Sequence, residues 1–293
     1  MVDAEPTTPA LRSTWRLEFA RVLAPRVWMR VVRTVGGNHR RRPKSEFASY
    51  WPRGAVWLTD AVYTPSILDT PLRPTGPVDP AHPAGALTAD WPMLDDGQVQ
   101  VGVWECTPGR FGGRSSGENE SMYMVAGRAT IEHGDGVYDI SPGTLWTTPR
   151  EWSSTWTVHQ TVRKLYVIDQ RPGSTGASAH LPNAHTAALG EPTPRAMPIA
   201  GTPHESSMSL WAHHQLDVGV WQCTPGEFTF RRDGYDEVFC VLSGHATLHI
   251  DVPNGPGQSF ELVPGAVILT PAGSTGRWVV HDTIRKAYTI INR

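Results

Sequence analysis

The stretch Val101-Gly-Val-Trp-Glu-Cys-Thr-Pro-Gly109 returns 117 residues later as Val218-Gly-Val-Trp-Gln-Cys-Thr-Pro-Gly226. The two copies align without a gap as far as Gly127 and Gly244, and the match resumes after a five-residue insertion. It ends at the motif Arg-Lys-x-Tyr, which occupies 163–166 in the first copy and 285–288 in the second. A repeat of this length predicts one structural module that the chain contains twice.

Apolar segments inside each copy are short and bounded by Gly, Pro, Asn or Asp. Val238-Phe-Cys-Val-Leu242, for example, is followed by Ser-Gly and then by Ala246-Thr-Leu-His-Ile250. Such segments are typical of antiparallel strands joined by tight turns. The sequence therefore predicts an all-β protein with two tandem domains, at residues 48–169 and 199–293. The stretch 170–198 is rich in Ala, Pro, Gly, Ser and Thr, and is predicted to be the linker between them.

The composition favours a globular protein with neither nucleic-acid nor membrane partners. The 293 residues are 39% hydrophobic and 18% charged, and the formal net charge is -2. Three cysteines are too few for a disulfide framework, which favours a reducing compartment. The N-terminus lacks the apolar core of a signal peptide, and no apolar run is long enough to span a bilayer. We therefore expect a cytoplasmic protein.

The first 47 residues differ from the rest in charge. Residues 1–45 hold ten Lys or Arg against three Asp or Glu, and their apolar residues recur at helical spacing on both sides of Pro25. This pattern predicts a short basic helical extension over residues 1–47. The extension could offer a basic surface to an acidic partner, or it could pack on the domain with its arginines in solvent.

The strand and turn residues of the second copy resemble the cupin superfamily of small jelly-roll β-barrels. Glu237-Val-Phe-Cys-Val-Leu-Ser-Gly244 resembles the end of the first cupin motif, and Pro264-Gly265 with Pro271-Ala-Gly273 resembles the start of the second. The repeated Gly-Val-Trp-x-Cys-Thr-Pro-Gly and Arg-Lys-x-Tyr are similar to the subfamily that includes ureidoglycine aminohydrolase-like proteins. The resemblance covers residues 90–169 and 207–293 and implies two tandem cupin domains, a bicupin.

The resemblance also implies a metal site, from which this sequence departs. Of the expected ligands only Glu120 and Glu237 are present, while the second-motif histidine position holds Ser154 in one copy and Gly276 in the other. One carboxylate rarely holds a transition metal, because such sites need about three or four protein ligands. We therefore predict no metal ligands and no cofactor. The alternative is a relocated ligand set drawn from His159, His281, His213 and His214.

Alternate side chains of a strand face the same side, which predicts the lining of each barrel. If Glu120 and Glu237 point inward, the neighbouring apolar and aromatic residues would surround their carboxylates. The Lys and Tyr of the closing motif would face the same interior. The predicted catalytic residues are Glu237, Lys286, Tyr288, Glu120, Lys164 and Tyr166. The predicted substrate-binding residues are Trp278, Trp156, Phe239, Arg232, His281 and His159. Burial and ion pairing shift pKa values in opposite directions, which suits general acid–base work.

The same residues have a purely structural interpretation, in which each Glu–Lys pair is a buried salt bridge that sets strand register and each Trp is core. Three functions therefore remain open: a metal-independent lyase, isomerase or cyclase; a metal-dependent hydrolase or oxygenase with unusual ligands; and a non-catalytic binding or scaffold protein. We favour the first, because an apolar pocket with a few convergent polar groups is the usual small-molecule site. The second copy is the favoured location, and a homodimer is a further possibility.

Overall fold

The structure is a computed structural model that describes residues 60–82, 84–114, 117–134, 136–173, 176–213, 215–252 and 256–293. Its described residues form nineteen strands and no helix, which confirms the all-β prediction for this part of the chain. No segment that it describes could cross a membrane as a helix. The predicted helical extension at 1–47 lies outside the described residues.

Two antiparallel sheets, one for each repeat, make up the fold. We call the nine-stranded sheet the first barrel and the ten-stranded sheet the second barrel. The first barrel contains β2 (Arg73–Pro77), β3 (Leu87–Asp95), β4 (Val99–Cys106), β5 (Gly109–Arg114), β6 (Asn119–His133), β7 (Gly136–Ile140), β8 (Leu145–Thr148), β9 (Ser153–Asp169) and β10 (Ala179–Leu181). The second contains β1 (Val62–Thr64), β11 (Thr193–Pro194), β12 (Pro198–Ala200), β13 (His204–His213), β14 (Leu216–Cys223), β15 (Gly226–Arg231), β16 (Tyr235–Ile250), β17 (Gln258–Leu262), β18 (Val267–Thr270) and β19 (Thr275–Asn292).

Each repeat contains one long bent strand, β6 in the first barrel and β16 in the second. Segments 238–242 and 246–250, predicted as two strands, both belong to β16, whose register with β19 shifts around Ser243. Gly244 has φ +85°, and a Cβ there would lie 2.2 Å from the carbonyl oxygen of Thr283. Gly127 of β6 has the same conformation at the equivalent bend. Glycine at this position therefore lets the strand bulge without ending.

Two short arms exchange between the barrels. The first arm, residues 62–70, pairs through β1 with β18 of the second barrel, and its Ile67 N–H donates to the Gly265 carbonyl at 2.8 Å. The second arm, residues 179–187, pairs through β10 with β8 of the first barrel, and its Ala184 N–H donates to the Gly143 carbonyl at 2.8 Å. The stretch 170–198, predicted as linker, thus contributes strands to the sheets.

Each barrel has an apolar core of its own, and a third apolar cluster joins the two barrels. Val101 and Leu165 of the first barrel and Val218 and Val238 of the second are buried in a single cluster. A cavity of about 10 Å³ remains between them, hardly room for one water molecule. The repeats are therefore packed as an intramolecular pair.

Candidate functional site

The side chains of the closing Arg-Lys-x-Tyr motif lie on two opposite sides of the strand, β9 in the first barrel and β19 in the second. The guanidinium of Arg163 donates to the carbonyls of Ile67 and Leu68, at 2.9 and 2.6 Å. Arg285 donates in the same way to the carbonyls of Ala184 and Ala187, at 2.9 and 2.6 Å. Each arginine thus holds an arm that pairs with the other barrel, while the Lys and Tyr of the motif project to the opposite side of the strand.

In the second barrel the predicted Glu–Lys pair is present and deeply buried. The Nζ of Lys286 lies 2.5 Å from the Oε1 of Glu237, and the two side chains are only 6% and 4% exposed. Arg232 pairs with the other oxygen of Glu237. Burial alone would raise the pKa of Glu237, but Arg232 and Lys286 outweigh it and hold that pKa below its usual value. Glu237 is therefore an anion held between two cations.

Aromatic rings enclose the Lys286 ammonium. Its Nζ lies 4.2 Å from the ring centre of Phe239, 4.8 Å from that of Trp221 and 5.3 Å from that of Trp278. Burial lowers the pKa of Lys286 to about 8, although Glu237 opposes the shift. Rings at these distances stabilise a cation by their negative faces. The ammonium therefore has one carboxylate and three rings as neighbours within the protein.

The first barrel repeats the pair in a more open setting. The Nζ of Lys164 lies 2.6 Å from the Oε1 of Glu120, and 4.9 and 5.4 Å from the ring centres of Trp104 and Trp156. The Met122 sulfur takes the position of the Phe239 ring, 4.0 Å from Nζ. The Glu120 side chain is 19% exposed against 4% for Glu237. This carboxylate is therefore reachable from solvent.

A second acid–base pair lies beside Lys164, formed by the predicted Tyr166 and by Asp90, which the sequence did not point to. The hydroxyl of Tyr166 donates to both oxygens of Asp90, at 3.2 and 3.3 Å. Burial raises the pKa of Asp90 to about 6, although the Tyr166 hydrogen bond and the charge of Lys164 oppose the shift. Burial and Asp90 in turn raise the pKa of Tyr166 well above its ordinary value.

The signal for Asp90 was weak. It lies before Val101, where the stretch shared by the two copies begins. Its counterpart in the second barrel is Ser207, because Asp90 pairs with Trp104 and Ser207 pairs with the equivalent Trp221. Only the alternation of apolar and polar residues along β3 could have placed its carboxylate on the inner face. Tyr288, the counterpart of Tyr166, has a raised pKa mainly through burial.

The end of each barrel where β5 or β15 meets the start of β9 or β19 is called here the mouth. In the first barrel Gly113 lies opposite Ser154, and in the second Phe230 lies opposite Gly276. A Cβ on Gly276 would lie 2.9 Å from the Phe230 ring, so that ring fills the place above it. Arg232 stacks on Phe230, 4.9 Å from its centre, and closes the second mouth further. Neither large side chain occurs in the first copy, which has Gly113 and Ser115 at these positions.

The histidines proposed for the site lie elsewhere. His159 and His281 are exposed and bonded through Nε2 to Thr130 and Thr247, at 2.8 and 2.9 Å. They follow Val158 and Val280, which are buried in the barrel cores, so their side chains point to the opposite side of the strand. Neither contacts the Glu–Lys pair of its barrel.

A transition metal does not fit the donors that surround Glu120 and Glu237. Each carboxylate already accepts from a lysine ammonium, whose charge opposes a metal cation at the same place. Within the described ranges, no group of three or more His, Cys, Asp and Glu side chains could hold a metal ion. His214, one of the alternative ligands, lies outside those ranges.

Two all-β repeats, each with bent paired strands and a Pro-Gly turn, define a two-repeat cupin. The chain belongs to the family of EutQ-like cupin domains, whose sequence profile matches residues 94–166 and 212–288. No curated protein is significantly similar to the chain in sequence.

Several solved structures share the fold. A protein of unknown function from Pseudomonas syringae pv. tomato is 20% identical, with 78% of this chain and 98% of that one covered, at a TM-score of 0.62. The protein Ylba from E. coli is 10% identical over 85% and 98% of the two chains, with a TM-score of 0.56. A Cupin 2 conserved barrel domain protein from Leptotrichia buccalis is 12% identical over 70% and 89%, with a TM-score of 0.54. These similarities support the fold alone.

Proposed function

We propose that the first barrel binds a small organic metabolite and catalyses proton transfer on it without a metal, as a lyase, isomerase or cyclase does. One observation carries this proposal: the half-buried Asp90, with its pKa raised to about 6, lies hydrogen-bonded to Tyr166 beside the Lys164–Glu120 pair. Two carboxyl groups in different environments around one ammonium are the arrangement that separates an acid from a base.

The roles follow from the environment of each group. Glu120, partly exposed and paired with Lys164, is the base that accepts a proton from the substrate. Asp90 changes protonation near neutral pH, which is where a general acid or base is most effective. Tyr166 stays neutral and carries a proton between Asp90 and the substrate. The Lys164 ammonium stabilises negative charge that develops on a substrate oxygen.

The second barrel is the structural partner in this proposal. The sequence favoured the second copy as the active one, but Glu237 is held there by Lys286 and Arg232 under an aromatic cover. A carboxylate whose pKa is lowered by two cations is a poor base. Catalysis at Glu237, Lys286 and Tyr288 would also require Phe230 and Arg232 to leave the mouth. We therefore assign the activity to the first barrel.

The proposal is tested by turnover of a panel of small hydroxy ketones, hydroxy acids and amides in chelator-containing buffer, followed by mass spectrometry. We expect Glu120→Gln and Asp90→Asn to lower the rate about a hundredfold or more, with a wild-type rate that changes near pH 6. Ser207→Asn, at the position that corresponds to Asp90, is the matched control. Unchanged rates in both variants would contradict the proposal.

Two other outcomes separate the remaining functions. A compound that binds the first barrel but is never converted would support the non-catalytic binding or scaffold function. Conversion that chelation abolishes and a divalent metal restores would support the metal-dependent hydrolase or oxygenase. The similarity to ureidoglycine aminohydrolase-like proteins, the cytoplasmic location, the homodimer and the domain boundaries stay predictions.

A further inference from the structure

An open groove of about 260 Å³ lies at the mouth of the first barrel. It is lined by Glu132, His133, Gly134, Ser153, Ser154 and Thr155. Hydroxyl, imidazole and carboxylate groups form this lining, and none of the described residues adds an aliphatic or aromatic hydrocarbon side chain to it. The groove therefore suits a ligand that forms hydrogen bonds rather than an apolar one.

The charge of the lining is already balanced. Arg110 pairs with Glu132 through two hydrogen bonds of 3.2 Å, which neutralises the carboxylate. The Nδ1 of His133 donates to the Ser153 carbonyl at 2.6 Å. Among the described residues the lining contributes no cation beyond this, so a phosphate or carboxylate ligand would find no charge partner in that part of it. The lining thus favours a neutral ligand with hydroxyl groups.

Ser154 connects the groove to the proposed acid–base site. Its hydroxyl oxygen is buried and has no hydrogen-bond partner in the described part of the chain. A Cβ on Gly113 would lie 3.0 Å from that oxygen and 2.8 Å from the Trp156 ring, which in turn lies 5.4 Å from the Lys164 Nζ. A buried hydroxyl without a partner costs free energy that a ligand can recover. Because Gly113 has no side chain, no side chain packs from this position against the ring and the hydroxyl.

We propose that this groove admits a small, neutral α-hydroxy carbonyl compound and that the Ser154 hydroxyl binds one of its oxygens. The substrate class rests on the proposed function, because it combines the neutral hydroxylated groove with a base and an acid farther in. Glu120 takes the proton from the carbon next to the carbonyl, and the electrons of that C–H bond form the C=C bond of an enediol. The carbonyl oxygen takes a proton from Tyr166, which Asp90 replenishes. Glu120 then gives its proton to the former carbonyl carbon, while the hydroxyl on the carbon that lost its proton passes its own proton through Tyr166 to Asp90 and becomes the new carbonyl. Both carboxyl groups return to their starting states, so this isomerisation needs no oxidant.

The probe is dihydroxyacetone in D₂O, with binding measured by saturation-transfer NMR and solvent deuterium uptake measured in the same samples. Ser154→Gly, which installs the residue of the second copy, removes one hydrogen bond and should weaken binding about three- to tenfold. The double variant Gly113→Phe with Ser154→Gly rebuilds the closed mouth of the second barrel and should abolish binding. Ser207→Gly, an exposed serine on β13, is the control and should bind as the wild type does.

The two measurements distinguish the two proposals. The groove assignment is overturned if the wild-type protein does not bind dihydroxyacetone. It is also overturned if both mouth variants bind it as tightly as the wild type does. Competition by inorganic phosphate overturns the neutral substrate class. Binding that the mouth variants weaken, but with no deuterium uptake in the wild type, supports the groove and refutes the acid–base function.

Discussion

Replacement of Asp90 by Asn tests whether burial has raised the pKa of this carboxyl. Asn keeps the shape of a neutral Asp and an oxygen that accepts from Tyr166, but it does not titrate. Below pH 3.8 the wild-type Asp90 is protonated in both the folded and the unfolded protein. Between pH 3.8 and about 6 the unfolded chain loses this proton while the folded protein keeps it, so the wild-type protein loses stability as pH rises through this window.

The size of this loss of stability follows from the two pKa values of Asp90. A rise from 3.8 to about 6, at about 1.4 kcal/mol for each pKa unit, amounts to about 3 kcal/mol when the whole window has been crossed. Asp90 keeps some contact with solvent, and part of the change falls below pH 4.5. We therefore expect Asp90→Asn to gain about 1–2 kcal/mol over the wild type between pH 4.5 and pH 7.5.

Urea unfolding followed by tryptophan fluorescence at four pH values measures this difference, because all other titrating groups are common to both proteins. Asp69→Asn, at an exposed position of the first arm, should show no such pH-dependent gain. A constant difference between Asp90→Asn and wild type across the pH range would refute the raised pKa. The assignment of Asp90 as the acid of the first barrel would then fail with it.

Three further variants test the architecture by urea unfolding and proteolysis. Glu237→Gln should cost about 3–5 kcal/mol, since it leaves Lys286 and Arg232 buried without their anion, whereas Glu120→Gln at its more open site should cost less. Gly244→Ala should destabilise far more than Gly273→Ala, because both glycines have φ near +85° but only the first would meet a backbone atom, at 2.2 Å. Arg285→Ala should speed thermolysin cleavage within residues 184–187, because it releases the carbonyls of the second arm.

Each of these has a result that would contradict it. Equal costs at the two glutamates would mean that the second barrel is no more closed than the first. Equal losses of stability in Gly244→Ala and Gly273→Ala would mean that the positive φ alone requires glycine at the bend, and that the close backbone contact adds nothing. An unchanged cleavage rate after loss of Arg285 would show that strand pairing by itself holds the second arm.

The sequence by itself determined the repeat, the all-β class and the membership of the cupin superfamily. Alternation along the strands also placed Glu120 with Lys164 and Glu237 with Lys286 on the inner face, where the members of each pair meet, whereas His159 and His281 lie on the outer face. These conclusions depend on local periodicity and on the comparison of two copies, both of which are visible along the chain.

Other features depend on contacts between residues far apart in the chain. The exchange of the arms joins Val62 to β18 and Ala179 to β8, and no local pattern predicts which barrel a short strand will join. Asp90 lies 76 residues from Tyr166, outside the part of the repeat that the two copies share. The difference between the mouths arises from Gly113 and Phe230, and it matters only because β9 and β19 bring their partners opposite them. Burial and charge at a site are sums over such neighbours, so only the tertiary structure decided which barrel is closed and which is open.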